Sequence, residues 1–260
     1  RIIKFKVLDA SDGVVYDESD AAFKIKGKFQ ITAPNTSGLT WLVGEQRPIT
    51  WTTTGKIASV NVQRSVSGTA WTTFSNGSGV VNTENGVTSL TATVPDAINT
   101  TFRVRVVNQV DSQVFDPCDY DIRVRGRLQI TATTSSAKWQ VSNQENIQWN
   151  VYGSVTQVNI DYWNQTLGGG VGDWLSITTS APATATSGAG EYLWTIPNLI
   201  RDDIKVRVVQ NNDAAVVSES AQFKIRGKIQ VNNPNGNETY YAYESTYQPN
   251  KSPITYTITG

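Results

Sequence analysis

The chain has 260 residues, 38% of them hydrophobic and 10% aromatic, with eight tryptophans, so it is not a disordered Ser/Thr tract. Twenty-two Lys and Arg balance 22 Asp and Glu, which removes the net positive field that a general nucleic-acid binder needs. Histidine is absent, and with it the usual general base, the Ser-His-Asp arrangement and the common zinc ligand.

Thr, Ser, Asn, Val and Ile are abundant, Leu and Glu are sparse and Met is absent, a balance that favours strands and turns over helices. No apolar run approaches membrane-spanning length and no signal peptide is present, so no membrane insertion is expected within this segment. The chain starts at Arg1 in mid-pattern, which reads as a mature or internal segment of something longer. Cys118 is the single cysteine, so no disulfide forms within the chain.

In chain order, Ile3-Lys-Phe-Lys-Val7 reads as a strand with apolar residues on one side and lysines on the other. An acidic hairpin follows, with Asp9, Asp12, Asp17, Glu18 and Asp20, and then the phrase Phe23-Lys-Ile-Lys-Gly-Lys-Phe-Gln-Ile31. That phrase returns as Ile122-Arg-Val-Arg-Gly-Arg-Leu-Gln-Ile130 and as Phe223-Lys-Ile-Arg-Gly-Lys-Ile-Gln-Val231. Its glycines, Gly27, Gly126 and Gly227, stand 99 and 101 residues apart, and self-similarity at that period marks an array of one unit.

Between the phrases other features fall into register. Trp41 and Trp51 align with Trp139 and Trp149, Trp71 with Trp174, Val94-Pro95 with Ile196-Pro197, and Phe102-Arg-Val-Arg-Val-Val107 with Ile204-Lys-Val-Arg-Val-Val209. Each period reads as about seven short alternating strands separated by Gly, Ser, Asn, Thr and Pro clusters. One-sided burial of this kind belongs to antiparallel sheets packed face to face. The fold class is therefore all-β, as tandem immunoglobulin-like antiparallel β-sandwiches.

The expected domains are 27–125 and 126–226. Residues 1–26 read as the C-terminal strands of a preceding unit, and 227–260 as the N-terminal strands of a following one. In the last segment Pro253-Ile-Thr-Tyr256 parallels Pro48-Ile-Thr-Trp51. No linker separates the units: each closing strand runs through its glycine into the next opening strand, where a bulge or bend is expected.

These residues resemble a repeat found in tandem in large secreted and cell-surface proteins of bacteria and archaea, related to an Ig-like domain of fungal wall-assembly proteins. That repeat opens with Pro-Asn-Gly-Gly-Glu-x-Trp, continues to an Ile-x-Trp strand and closes with Asp-x-Ser-Asp-x-x-Phe-x-Ile. Pro234-Asn-Gly-Asn-Glu-Thr-Tyr240 is close to the opening, Ile49-Thr-Trp51 and Ile147-Gln-Trp149 match the middle, and Asp17-Glu-Ser-Asp-Ala-Ala-Phe-Lys-Ile25 matches the close. The resemblance implies extracellular display in long arrays and no particular ligand.

Candidate sites follow from the same register. Asp9, Asp12, Asp17 and Asp20 offer carboxylates to a calcium ion, though a turn rich in Asp, Ser and Gly needs no metal. Trp41, Trp51, Trp139 and Trp149 recur in register, which suits core packing. Trp163, Tyr162 and Trp194 lack aromatic counterparts in the first full repeat, so Trp163 and Trp194 are the candidates for glycan contact. Asn35, Asn76, Asn99, Asn164, Asn237 and Asn250 head Asn-x-Ser/Thr sequons and are the candidate N-glycosylation sites. Cys118 reads as an incidental thiol, with a cross-link to another chain as the alternative.

No catalytic constellation or cofactor motif is present, so a non-enzyme is expected. The leading expectation is a structural segment of a long extracellular or cell-surface protein, a stalk, sheath or filament, with head-to-tail assembly as a variant. Its partners are then other copies of itself or neighbouring Ig-like units. The alternative is an adhesin or carbohydrate-binding array with glycans as partners.

Overall fold

The computed structural model describes residues 2–131, 138–164, 172–184, 189–236 and 254–260, none of them helical. The chain divides into two compact units, Arg1–Arg125 and Gly126–Gly260.

Four short strands open the first unit: β1 (Ile2–Ile3), β2 (Lys6–Leu8), β3 (Tyr16–Glu18) and β4 (Phe23–Lys24). β2 and β3 form an antiparallel hairpin, and β4 returns beside β1. A sandwich follows, built from β5 (Lys28–Ala33), β6 (Thr40–Leu42), β7 (Gln46–Thr54), β8 (Ser59–Ser65), β9 (Thr72–Thr73), β10 (Val80–Val81), β11 (Val87–Thr93), β12 (Asn99–Asn108), β13 (Phe115–Pro117) and β14 (Ile122–Arg125). One sheet runs β11-β7-β5. The other runs β10-β8-β12-β14-β6, with β9 on β8 and β13 on β12.

The second unit repeats this plan with β15 (Arg127–Ile130), β16 (Lys138–Gln140), β17 (Gln144–Tyr152), β18 (Gln157–Asn164), β19 (Asp173–Pro182), β20 (Gly190–Thr195), β21 (Arg201–Ile204), β22 (Val206–Gln210), β23 (Asp213–Glu219) and β24 (Phe223–Arg226). Its sheets run β15-β17-β20, β19-β18-β22-β23 and β16-β24-β21. A final hairpin pairs β25 (Lys228–Asn233) with β26 (Thr255–Thr259). Both sandwiches are immunoglobulin-like, with facing antiparallel sheets and one core each.

Period-two burial explains the strands. Along β7, Ile49, Trp51 and Thr53 point inward and the residues between them do not; along β12, Phe102, Val104 and Val106 do the same between half-exposed arginines. The four recurring tryptophans, Trp41, Trp51, Trp139 and Trp149, are all buried. Their polar edges are satisfied inside: Trp51 Nε1 donates to Asn82 Oδ1 at 2.8 Å, and Trp149 Nε1 to the Ala183 carbonyl at 2.8 Å.

Two features differ from the sequence expectation. The opening strand of each sandwich breaks, and its second half crosses to pair in parallel with the closing strand, as β6 on β14 and β16 on β24. Strands are also more numerous, in part because the returning arm of the closing hairpin divides into β13 and β14, or β23 and β24, as it passes along its partners.

The three phrase glycines have a more specific reason than a bend. None has a positive φ. A Cβ on Gly27 would lie 2.8 Å from both the Thr54 carbonyl and Ile57 Cδ1; one on Gly126 would lie 2.4 Å from Val155 Cγ2; one on Gly227 would lie 3.1 Å from the Thr259 carbonyl. At Gly27 and Gly126 the opening strand passes too close to the end of its partner strand, or to the residues just after it, for a side chain; at Gly227 a Cβ fits only if its neighbours give by a few tenths of an ångström.

Candidate functional site

The closing hairpins carry a clamp that recurs three times. The Phe5 N–H donates to Ser19 Oγ at 3.2 Å while the Ser19 N–H donates to the Phe5 carbonyl at 2.9 Å. Val104 and Cys118 exchange the same pair, at 3.4 Å to Sγ and 2.9 Å back, and Val206 and Ser220 do so at 3.0 and 2.8 Å. The Cys118 thiol then donates to the Tyr120 carbonyl, as the Ser220 hydroxyl does to Ala221. Cys118 thus stands where the other hairpins have serine. It is 1% exposed, and burial pushes its thiol pKa up, so the folded chain does not offer it for cross-linking. The signal was legible in the sequence, had Ser19, Cys118 and Ser220 been aligned.

A second stitch ties the closing hairpin to the opening strand. The Ile31 N–H donates to Asp116 Oδ2 at 2.6 Å, and the Ile130 N–H to Ser218 Oγ at 3.0 Å. Burial pushes the Asp116 carboxyl pKa up, against the opposing pull of the Ile31 N–H. Asp17 holds the corresponding position in the first hairpin and is exposed.

That first hairpin presents a bare apolar face. Phe5, Val7, Leu8 and Ile25 align with Val104, Val106, Val107 and Val124, all buried, yet Phe5 is 67% and Val7 74% exposed. Phe23 stacks on Phe5, with ring centroids 4.9 Å apart. The β25–β26 hairpin shows the complementary case: Ile229, Val231 and Tyr256 are exposed where Leu128, Ile130 and Trp149 are partly or fully buried.

The acidic loops are turns. Asp9 Oδ1 accepts from the Ser11 N–H and hydroxyl at 2.8 and 2.7 Å, and Asp12 Oδ1 accepts from the Val14 N–H at 3.1 Å. Asn108 and Asp111 repeat this geometry toward Val110 and Gln113. Asp17 and Asp20 are not gathered with them, and among the described residues no group of three or more His, Cys, Asp or Glu side chains is placed to hold a metal ion. The basic strands find acidic partners nearby: Lys26 with Asp111 at 2.8 Å, Arg103 with Asp121 at 2.5 Å, and Lys224 and Arg226 both with Asp202. These carboxylates are held below their usual range where they bond Lys26 (Asp111) or Arg226 and Lys224 (Asp202).

The two tryptophan candidates separate. Trp194 is a correction: it is only 6% exposed, packs at 6.0 Å from Trp139 and 5.3 Å from Tyr162, and cannot stack on a glycan. It pairs with Glu145 as Ala92 pairs with Arg47, so its missing aromatic counterpart is a buried alanine. Trp163 instead lines a groove of about 370 Å³ with Trp174, Lys205, Glu219 and Gln222. Its indole meets Trp174 edge-on at 5.3 Å. Trp174 was readable as the repeat partner of Trp71, but its place beside Trp163 comes from the β18–β19 pairing.

Of the sequon asparagines, Asn76 is exposed. Asn35 is half-buried, its amide donating to Asp119 Oδ2 at 2.7 Å and its Oδ1 accepting the Asp119 N–H at 2.8 Å, and Asn99 accepts from Thr101 at 2.6 and 2.7 Å. Asn164 is a correction: it is a buried residue on β18 opposite Asp173, so the folded sheet withholds it from glycosylation. Asn237 and Asn250 lie outside the described residues. Among the described residues no helix is long and apolar enough to cross a membrane.

No protein-family model matches the chain, and no curated protein matches it. Among solved structures, it is similar to the fibronectin(III)-like modules of Clostridium thermocellum CbhA, at 15% identity over 76% of this chain and 91% of that one, with a TM-score of 0.23. A chimeric titin Z1Z2–Z1Z2 tandem aligns at 14% identity over 76% and 99%, with a TM-score of 0.25. Titin domains Z1Z2, solved in complex with telethonin, align at 13% identity over 78% and 98%, with a TM-score of 0.23.

Proposed function

We propose that the chain is a structural, non-enzymatic segment of a long extracellular or cell-surface protein, a stalk, sheath or filament built from tandem immunoglobulin-like domains. The bacterial and archaeal surface-repeat resemblance of its Ile-x-Trp and Asp-x-Ser-Asp-x-x-Phe-x-Ile motifs supports this reading. One observation carries it: the same closing hairpin is built three times, twice covered by its own opening strand and once, at residues 2–25, with its apolar face and Asp17 left open. Such a face and such open edges favour pairing with another strand. The cover that matches it is the opening strand of an Ig-like unit, supplied by preceding residues of the same protein or by another copy of this chain joined head to tail.

Negative-stain electron microscopy of the 260-residue chain at rising concentration tests the reading. Regular strings or polymers are expected from head-to-tail assembly; discrete particles of single-chain size at every concentration would contradict that form of the reading and leave the covalent stalk. The second reading, an adhesin or carbohydrate-recognising array, has one observation in its favour, the Trp163–Trp174 groove.

A further inference from the structure

The groove is an addition to a scaffold that both units share. In each sandwich an arginine lies over a tryptophan ring, Arg105 over Trp71 at 4.4 Å and Arg207 over Trp174 at 4.4 Å. Each arginine is also held from the neighbouring strand, by Gln63 or Asp161, at 2.8 Å. This stack recurs and therefore belongs to the fold.

Trp163 does not recur. Ser65 holds its position in the first unit, buried, with its hydroxyl accepting the N–H groups of Ser67 and Gly68. Opposite it, Arg103 is tied to Asp121 at 2.5 Å, whereas the corresponding Lys205 stands 3.9 Å from Glu219. The second unit thus carries an indole where the first has Ser65, and beside it a longer ion pair whose carboxylate, Glu219, stands where the first unit has Pro117. The resulting groove, about 370 Å³, falls at the small end of ligand-binding sites.

Its chemistry is mixed in one direction. Two indoles give an apolar wall, while Lys205, Glu219 and Gln222 give hydrogen-bond donors and acceptors whose charges cancel. A ligand matching this has an apolar C–H face, hydroxyls around its edge and no net charge. We infer that the groove binds a neutral saccharide, with a pyranose face against the Trp163 indole, Trp174 closing the groove at an angle beside it, and its hydroxyls bonded by Lys205, Glu219 and Gln222. This deepens the second reading and is independent of assembly, because binding and polymer formation are read separately.

The test is a two-dimensional NMR titration of the 260-residue chain with neutral hexasaccharides of glucose, mannose and N-acetylglucosamine, and with a hexauronate. Saturable movement of the Trp163 and Trp174 indole signals is expected with at least one neutral probe, with a Kd on the order of 1 mM or tighter. Trp163→Ser, the residue of the first unit, should abolish the response. Gln222→Ala, at an exposed position, should weaken it several-fold without touching the core. The inference is overturned by no saturable shift from any neutral probe, by tighter binding of the hexauronate, or by an unchanged response in both variants.

Discussion

Ser19, Cys118 and Ser220 place a short polar side chain directly after β3, β13 and β23, on the returning arm of each closing hairpin, and each receives a backbone N–H from the segment beside it. A hydroxyl does this at least as well as a thiol, so Cys118→Ser should change stability by no more than about 1 kcal/mol in urea denaturation. A thiol reagent should react with the native chain only as fast as it unfolds, since the buried thiol keeps little thiolate. Asn82 is a harsher case. Its side-chain oxygen accepts from Trp51 Nε1 and the Thr53 hydroxyl, and its amide donates to the Ile57 carbonyl, all buried. Asn82→Ala leaves those groups without partners and should cost the first unit about 1–3 kcal/mol or more by denaturant titration; a loss below that range would mean water replaces the amide.

At the scale of elements, charge on the closing strand β24 couples to pH. Asp202 bonds Arg226 and Lys224 and is held well below the ordinary carboxylate range, and Asp203 is lowered by Arg201. A lowered folded-state pKa contributes stability above the unfolded value that is lost as pH falls through the folded one. The second unit should therefore lose stability on acidification below about pH 4, and Asp202→Asn should flatten that slope. Because Asp202 is exposed, about 0.5 M salt should shrink the difference between the two proteins. Identical slopes at low salt would contradict the pairing. Asp116 acts in the opposite sense: its raised pKa penalises the ionised folded state above that pKa, and the penalty lifts as pH falls.

Much of this was legible in the chain. The period, the alternating strands and the four core tryptophans follow from one-sided burial, which writes itself into the sequence at period two. What depends on long-range contact was not. Trp194 was misread because its counterpart is Ala92, a buried swap of volume that leaves no outward mark. The parallel pairing of β6 with β14 and of β16 with β24 joins residues about 85 apart, beyond any local pattern. The crowding at Gly27 and Gly126 likewise comes from the end of the partner strand and the residues just after it, Ile57 and Val155, and not from the glycine's own φ.

For the molecule as a whole, the two sandwiches each bury an apolar core, while the β1–β4 and β25–β26 segments leave theirs in water. A hairpin of this kind is marginal alone, and its alignment with the buried strands of the sandwiches specifies what should cover it: an opening strand whose N–H groups reach Asp17 as Ile31 reaches Asp116. Hydrogen exchange followed by mass spectrometry, as a function of protein concentration, tests this most directly. Protection at residues 5–8 and 23–25 should rise with concentration toward that of their counterparts at 104–107 and 122–124. If those amides exchange freely at every concentration while 104–107 stay protected, neighbouring copies do not complete the hairpin and the assembly reading fails.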